Sequence, residues 1–149
     1  MNDIINIYEM LHWRNPQEIR LNGMEKAKKV GDLSLLICPP AEPSVWECCA
    51  TVLSEKSDAD LEPYLDELIE WIYDLNWPGA TTILERLKTF SGTLLKERLE
   101  CAVKNALKLP DEEKTLRLYY LSELLDNDDL NEVLSKETLK ELKRYYHML

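Results

Sequence analysis

Apolar residues recur along most of the chain at intervals of three and four, the spacing of a single helix face. Ile4, Ile7, Tyr8 and Leu11 set this rhythm first and predict a helix over Asn2 to His12. Asn15-Pro16-Gln17-Glu18 then reads as a helix start, with Asn15 as cap, Pro16 at the first position and Glu18 reaching back. That second helix is expected to reach Val30, to turn Ile19, Ala27 and Val30 inward, and to end at Gly31, with Gly23 as a weak point inside it. Between Asp32 and Pro43 the rhythm fails. Pro39, Pro40 and Pro43 forbid a continuous helix, so residues 32–43 are expected to form an irregular loop that packs Leu35, Leu36 and Ile37 downward. Ser44-Val45-Trp46-Glu47 repeats the cap-plus-glutamate signature and opens a helix carrying Trp46, Cys49, Ala50 and Leu53.

Ser57 to Asp60 forms a second turn and cap cluster. Leu61, Leu65, Leu68 and Ile72 define the next stripe, widened by Tyr64, Ile69 and Trp71, and predict one helix from about Asp60 to Tyr73. The corner that follows, Asp74-Leu75-Asn76-Trp77-Pro78, is sharply specified. A residue before proline is pushed out of the helical region, so Trp77 marks the break. Pro78 is expected at the first position of the next helix, and Asp74 and Asn76 are expected to bond exposed backbone amides. Ile83, Leu84, Leu87 and Phe90 carry the helix beyond, as far as Ser91-Gly92. Leu95, Leu99, Ala102, Val103 and Ala106 mark another that stops before Pro110. Pro110-Asp111-Glu112-Glu113 opens a helix with Leu116, Tyr120, Leu121, Leu124 and Leu125, and Asn127-Asp128-Asp129 reads as a turn. The last helix opens at Ser135 and lines up Leu139, Leu142, Tyr146 and Leu149.

The pattern thus predicts an all-α protein of roughly eight helices in a single domain spanning residues 1–149. Prolines 16, 43, 78 and 110 lie 27, 35 and 32 residues apart. A recurrence of about thirty residues, one helix pair each, is what stacked HEAT-like or armadillo repeats produce. Antiparallel HEAT-like pairs are therefore the expected architecture, with an irregular helical bundle as the alternative.

Composition changes this picture little, but charge adds to it. The net charge is −10, and the acids are segregated. Residues 55–74 hold eight acids and one base, residues 109–132 hold eight acids and two bases, and the stretch between them is basic. A phosphate backbone or an anionic membrane requires the opposite sign, so neither is expected as a partner. A basic protein suits the charge. No apolar run approaches a membrane span, and Met1-Asn2-Asp3-Ile4 lacks the basic and apolar regions of a signal peptide, so a cytoplasmic location is expected. Cys38, Cys48, Cys49 and Cys101 show no metal-binding spacing and are expected as reduced thiols.

Candidate chemistry is sparse. His12 and His147 stand alone at opposite ends of the chain, and no phosphate-binding glycine loop, His-Glu-x-x-His or Gly-x-Ser-x-Gly string occurs. No catalytic residue, cofactor or metal site is expected. The acidic face is the one feature that points outward: Glu62, Asp66, Glu67 and Glu70 are expected on one side of a helix, repelling one another without interleaved lysines. Such a face steers a basic partner. Asp111, Glu112, Glu113, Asp126, Asp128 and Asp129 form a second acidic set that the stacking of repeats would bring alongside the first. Trp77 with Trp71 and Pro78 offers a recognition ledge or, alternatively, a wedge between repeats. Asp74 is either a ligand group or a backbone cap.

The string Leu68-x-x-Trp71-x-x-Asp74-x-Asn76-Trp77-Pro78-x-Ala80 resembles the centre of a bacterial family known as domain of unknown function 5071. The resemblance covers roughly residues 60 to 130 and departs after Ser91, where Pro110-Asp111-Glu112-Glu113 and Tyr119-Tyr120 occur in place of a tryptophan-containing helix. It implies a HEAT-like helical fold without an established enzymatic activity. Small acidic helical proteins of this kind are similar to immunity proteins of bacterial toxin systems. The expected function is accordingly a non-catalytic protein-binding module, an immunity protein that neutralises a cognate basic toxin domain. The alternatives are a general scaffold or adaptor and, third, an enzyme.

Overall fold

The computed structural model describes residues 2–39 and 43–147, so Pro40 of the expected loop and Leu149 of the expected C-terminal stripe lie outside the described residues. Within them the chain is all-α. Its helices are α1 (Asn2–Leu11), α2 (Gln17–Ala27), α3 (Trp46–Ser54), α4 (Asp58–Leu61), α5 (Leu65–Trp71), α6 (Ala80–Leu87), α7 (Gly92–Ala106), α8 (Asp111–Ser122), α9 (Asp128–Val133) and α10 (Lys136–Lys143). Short 3-10 turns occupy Leu33–Leu36, Pro43–Val45, Glu62–Tyr64 and Glu123–Asp126.

Two departures separate this from the eight expected helices. Pro63 splits the expected Asp60–Tyr73 helix into α4 and α5, because proline lacks the amide proton and its ring clashes with the carbonyl four residues back. Asn127 does not merely turn the chain: its side chain accepts the Leu130 amide proton and caps an additional helix, α9. Pro16 and Pro110 stand one place before the first helical residue rather than at it. Asn15 belongs to the helix behind it: its side-chain amide donates to the carbonyls of Glu9 (2.6 Å) and Met10 (3.0 Å).

Consecutive helices pack as α1 on α2, α2 on α3 and α7 on α8, and helices further apart in the chain pack as α3 on α6, α5 on α7, α7 on α9 and α8 on α10. The core between them holds Leu11, Leu36, Leu53, Leu61, Leu65, Leu68, Ile72, Ile83, Leu87, Phe90, Leu99, Leu121 and Leu142. Each such side chain contributes about 1.5–3 kcal/mol by burial, against about 0–1 kcal/mol for an exposed ion pair, so the apolar stripes hold the fold. Gly23 serves this packing, since a Cβ there would stand 2.8 Å from Met10 Cβ on α1. Ile19 on α2, expected inward, is 41% exposed, and Leu116 on α8 is 49% exposed while its neighbour-but-one Leu118 is buried. Leu35 of the loop is also exposed, whereas Leu36 is buried.

Polar pins join the helices at their ends. Asp58 accepts from Arg86 Nη2 (2.6 Å) and from the Ser91 amide (3.0 Å), fixing α4 to the α6–α7 junction. Buried Asn127, 2% exposed, donates to the carbonyls of Leu87 and Phe90, both at 2.9 Å. Glu100 on α7 accepts the Ser135 amide proton at 2.8 Å, just ahead of α10.

The Glu100 pin has a pH signature. Burial works against its charge, yet the Ser135 amide and hydroxyl, with Lys96 nearby, prevail and hold the carboxyl below its ordinary range. Asp126 is held low as well, first by the Tyr146 hydroxyl and then by Lys88, against some burial. Carboxyls depressed in the folded state stabilise it above the unfolded pKa and cease to do so as pH falls through the folded value. Stability is therefore expected to decline below about pH 4, and Glu100→Gln should make that acid limb shallower in urea titrations run from about pH 5 to about pH 3.

Candidate functional site

The corner between α5 and α6 is built from backbone chemistry outward. Asp74 Oδ1 accepts the Asn76 amide proton at 2.9 Å, and the Asp74 carbonyl accepts that of Trp77 at 3.0 Å. Asp74 is thereby engaged as a local cap. The Trp77 carbonyl then accepts the Ala80 amide proton at 3.1 Å across Pro78-Gly79. Gly79 has φ +81° and ψ −12°, the left-handed second position of a type II turn whose first position suits proline. Pro78 therefore sits in a turn and not at the helix start, and Gly79 precedes the first residue of α6.

Three tryptophans meet at this turn. Trp71 is 1% exposed and donates its Nε1 proton to the Pro78 carbonyl at 2.9 Å. Trp46, half-buried at the start of α3, donates to the Pro39 carbonyl at 2.8 Å. Its ring lies edge-to-face against Trp71 (6.1 Å between centroids, 79°) and Trp77 (6.4 Å, 87°). Trp71 is thus a wedge in the core, while Trp77, 40% exposed, is a surface ring. Beside them opens a groove of about 280 Å³, lined also by Ile37, Cys38, Glu67 and Glu70. Burial, and then the charge of Glu70, pushes the Cys38 thiol up to about 12, and burial pushes Cys49 to about 12, so neither presents a thiolate at neutral pH.

The first acidic set stays together and stays outside. Glu62 lies in the 3-10 turn, and Asp66, Glu67 and Glu70 lie on α5, all exposed. Asp66 has a counter-charge at 3.3 Å in Arg98 of α7. The carboxylates of Glu62, Glu67 and Glu70 have no ion pair or hydrogen bond among the described residues. The second set is divided. Asp111, Glu112 and Glu113 open α8, where Asp111 pairs with Lys114 at 3.6 Å, whereas Asp126, Asp128 and Asp129 lie past its far end. The twelve residues of α8 put about 18 Å between those ends. Asp126 is engaged by Lys88 (3.1 Å) and by the Tyr146 hydroxyl, and Asp129 accepts the Gly92 amide proton at 2.6 Å at the start of α7. Asp128 remains exposed.

Trp46 is the residue of this site that the sequence does not single out. Its helical spacing reads as core, and only the fold brings it to Trp77. His12 accepts the Arg14 amide proton within a turn, and the His147 ring lies tilted at 41° against Tyr146 with centroids 3.9 Å apart. Among the described residues no group of three or more His, Cys, Asp or Glu side chains is disposed to hold a metal ion, and no helix is long and apolar enough to cross a membrane.

Fold and corner together define an all-helical domain whose distinctive surface is an acid-rimmed aromatic groove. The family described as "Domain of unknown function (DUF5071)" matches residues 47–144, most of the chain, and the protein belongs to that family. The match starts inside α3 and closes just after α10, so it contains the α5–α6 corner and runs through Pro110 and Tyr120. No curated protein and no solved structure matches the chain.

Proposed function

We propose that the protein is a non-catalytic binding module, an immunity protein of the cytoplasm that neutralises a cognate basic toxin domain. The observation that carries this reading is the exposed carboxylate set Glu62, Glu67 and Glu70, whose carboxylates have no ion pair among the described residues and of which Glu67 and Glu70 line the groove beside the surface ring of Trp77. Close like charges oppose the folded state by a few tenths of a kcal/mol per pair, roughly, and a basic partner converts that repulsion into attraction. Aromatic rings at the same place supply the apolar contact that long-range charge lacks. The helices act here as a HEAT-like stack that displays one acidic edge.

A scaffold with several partners is favoured by a separate observation. Ile5, Trp13, Ile19 and Leu21 leave large apolar side chains exposed on and between α1 and α2.

The two readings separate in one experiment. The tagged protein is captured from its native cells across a salt series, beside a Glu67→Lys/Glu70→Lys variant. An immunity protein is expected to retain one stoichiometric basic partner that is released at high salt, with affinity about tenfold or more weaker in the variant. Several partners, insensitive to salt and to the variant, would establish the scaffold and end the immunity reading.

A further inference from the structure

The groove beside the α5–α6 corner combines ring walls with a rim of one charge. Trp46 and Trp71 are each fixed by an indole hydrogen bond to a carbonyl, so the walls are set before any ligand arrives. The edge-to-face packing of Trp46 on Trp77 leaves ring surface that no stacked partner covers, and Trp77 is the exposed member. Glu67 and Glu70 stand at the rim, and no lysine or arginine of the described chain reaches them, in contrast to Asp66, which Arg98 meets. At about 280 Å³ the space falls just below the range of about 300–1,000 Å³ for small-molecule pockets, which suits one side chain better than a cofactor.

These features select the occupant. An anion meets two carboxylates. An aliphatic side chain would cover the rim and leave the two charges poorly solvated without compensation. A cation on an apolar stem satisfies rings and rim together. Between the two natural cations, guanidinium is planar, weakly hydrated and able to stack on an indole face while its N–H edge reaches carboxylates, whereas an ammonium is a strongly hydrated point charge.

We infer that the groove is a receptor site for an arginine side chain of a protein partner. The guanidinium stacks on Trp77 beside Trp46 and donates hydrogen bonds to Glu70 and Glu67, and the aliphatic stem lies toward Ile37. The inference rests on the reading of this corner as the face that meets a basic partner, and adds to it the chemistry that recognises that partner.

The test uses the full chain and capped tripeptides, acetyl-Gly-Arg-Gly-amide against its lysine and citrulline counterparts, followed through the indole N–H signals in NMR titrations. The arginine peptide is expected to move the Trp46 and Trp77 signals while Trp13 stays in place, and to bind about tenfold more tightly than uncharged citrulline. Trp77→Ala should abolish the response. Glu70→Gln, which keeps the rings and alters an exposed side chain, should weaken binding about fivefold with the spectrum otherwise unchanged. Equal binding of citrulline or of lysine, indifference to Glu70→Gln, or a response centred on Trp13 would overturn the assignment. A silent titration beside a single salt-released basic partner in the capture experiment removes the arginine site alone. A positive titration with no such partner removes the immunity reading and leaves the site standing.

Discussion

Replacing Gly79 by alanine is expected to destabilise the protein by about 3 kcal/mol, through two causes that act together. At φ +81° any L-residue other than glycine is strained, which costs roughly 1–2 kcal/mol. The new Cβ would also stand 2.8 Å from Ala50 Cβ and from the Trp46 carbonyl oxygen, and 3.0 Å from Trp71 Cζ2. None of these can yield cheaply: one is main chain, one is the fixed Cβ of a buried alanine, and the Trp71 ring is tied to Pro78. Overpacking of this kind costs about 1–3 kcal/mol. Urea unfolding measures the loss. Gly31→Ala serves as the control, with nothing within 4 Å of its added methyl and an expected change of no more than about 0.5 kcal/mol. A Gly79→Ala protein as stable as the control would show that the corner is slack, and a slack corner cannot hold a preformed groove.

Asn127→Ala is expected to cost a similar amount, about 3 kcal/mol, for a different reason. The Asn127 side chain donates to Leu87 and Phe90 and accepts from Leu130, so its loss strips partners from three backbone groups in the interior. An unsatisfied buried polar group costs about 1–3 kcal/mol, and the cavity left by the amide is too polar to be compensated by apolar collapse. Asn127→Asp is the informative companion. An ionised carboxylate still accepts the Leu130 proton but turns its other oxygen on two carbonyls, so at neutral pH it should be no more stable than the alanine variant. Denaturation midpoints of the three proteins decide the matter: recovery of wild-type stability by Asp would show that the two donated bonds contribute nothing.

Helices were readable wherever the determinant was local. The spacing of Leu95, Leu99, Ala102, Val103 and Ala106 places α7, and the hydroxyls of Ser57, Ser91 and Ser135 cap the helices they precede. The stripe Leu61-Leu65-Leu68-Ile72 masks the effect of Pro63 because it continues through the break: a 3-10 turn keeps those side chains buried while the backbone changes. Ile19 and Leu116 have the right spacing and no neighbour to cover them, which periodicity cannot report. The site divides in the same way. Exposure of Glu62, Asp66, Glu67 and Glu70 follows from their positions opposite the stripe. The engagement of Asp126 and Asp129 depends on Lys88, Tyr146 and Gly92, distant in sequence, and the joining of Trp46 to Trp77 depends on the packing of α3 on α6.

The break at Pro63 also decides how the acidic edge can be used. It leaves α4 with four residues and α5 with seven, far short of the about 12–15 that an isolated helix needs to persist in water. Neither segment has a helix of its own to offer; each is held in shape by Leu61, Leu65, Leu68 and Ile69 against the rest of the molecule. The spacing of Glu62, Asp66, Glu67 and Glu70 is consequently a property of the folded domain. A peptide cut from this region would keep the charges and lose their arrangement, so the edge cannot be grafted or mimicked as a linear motif.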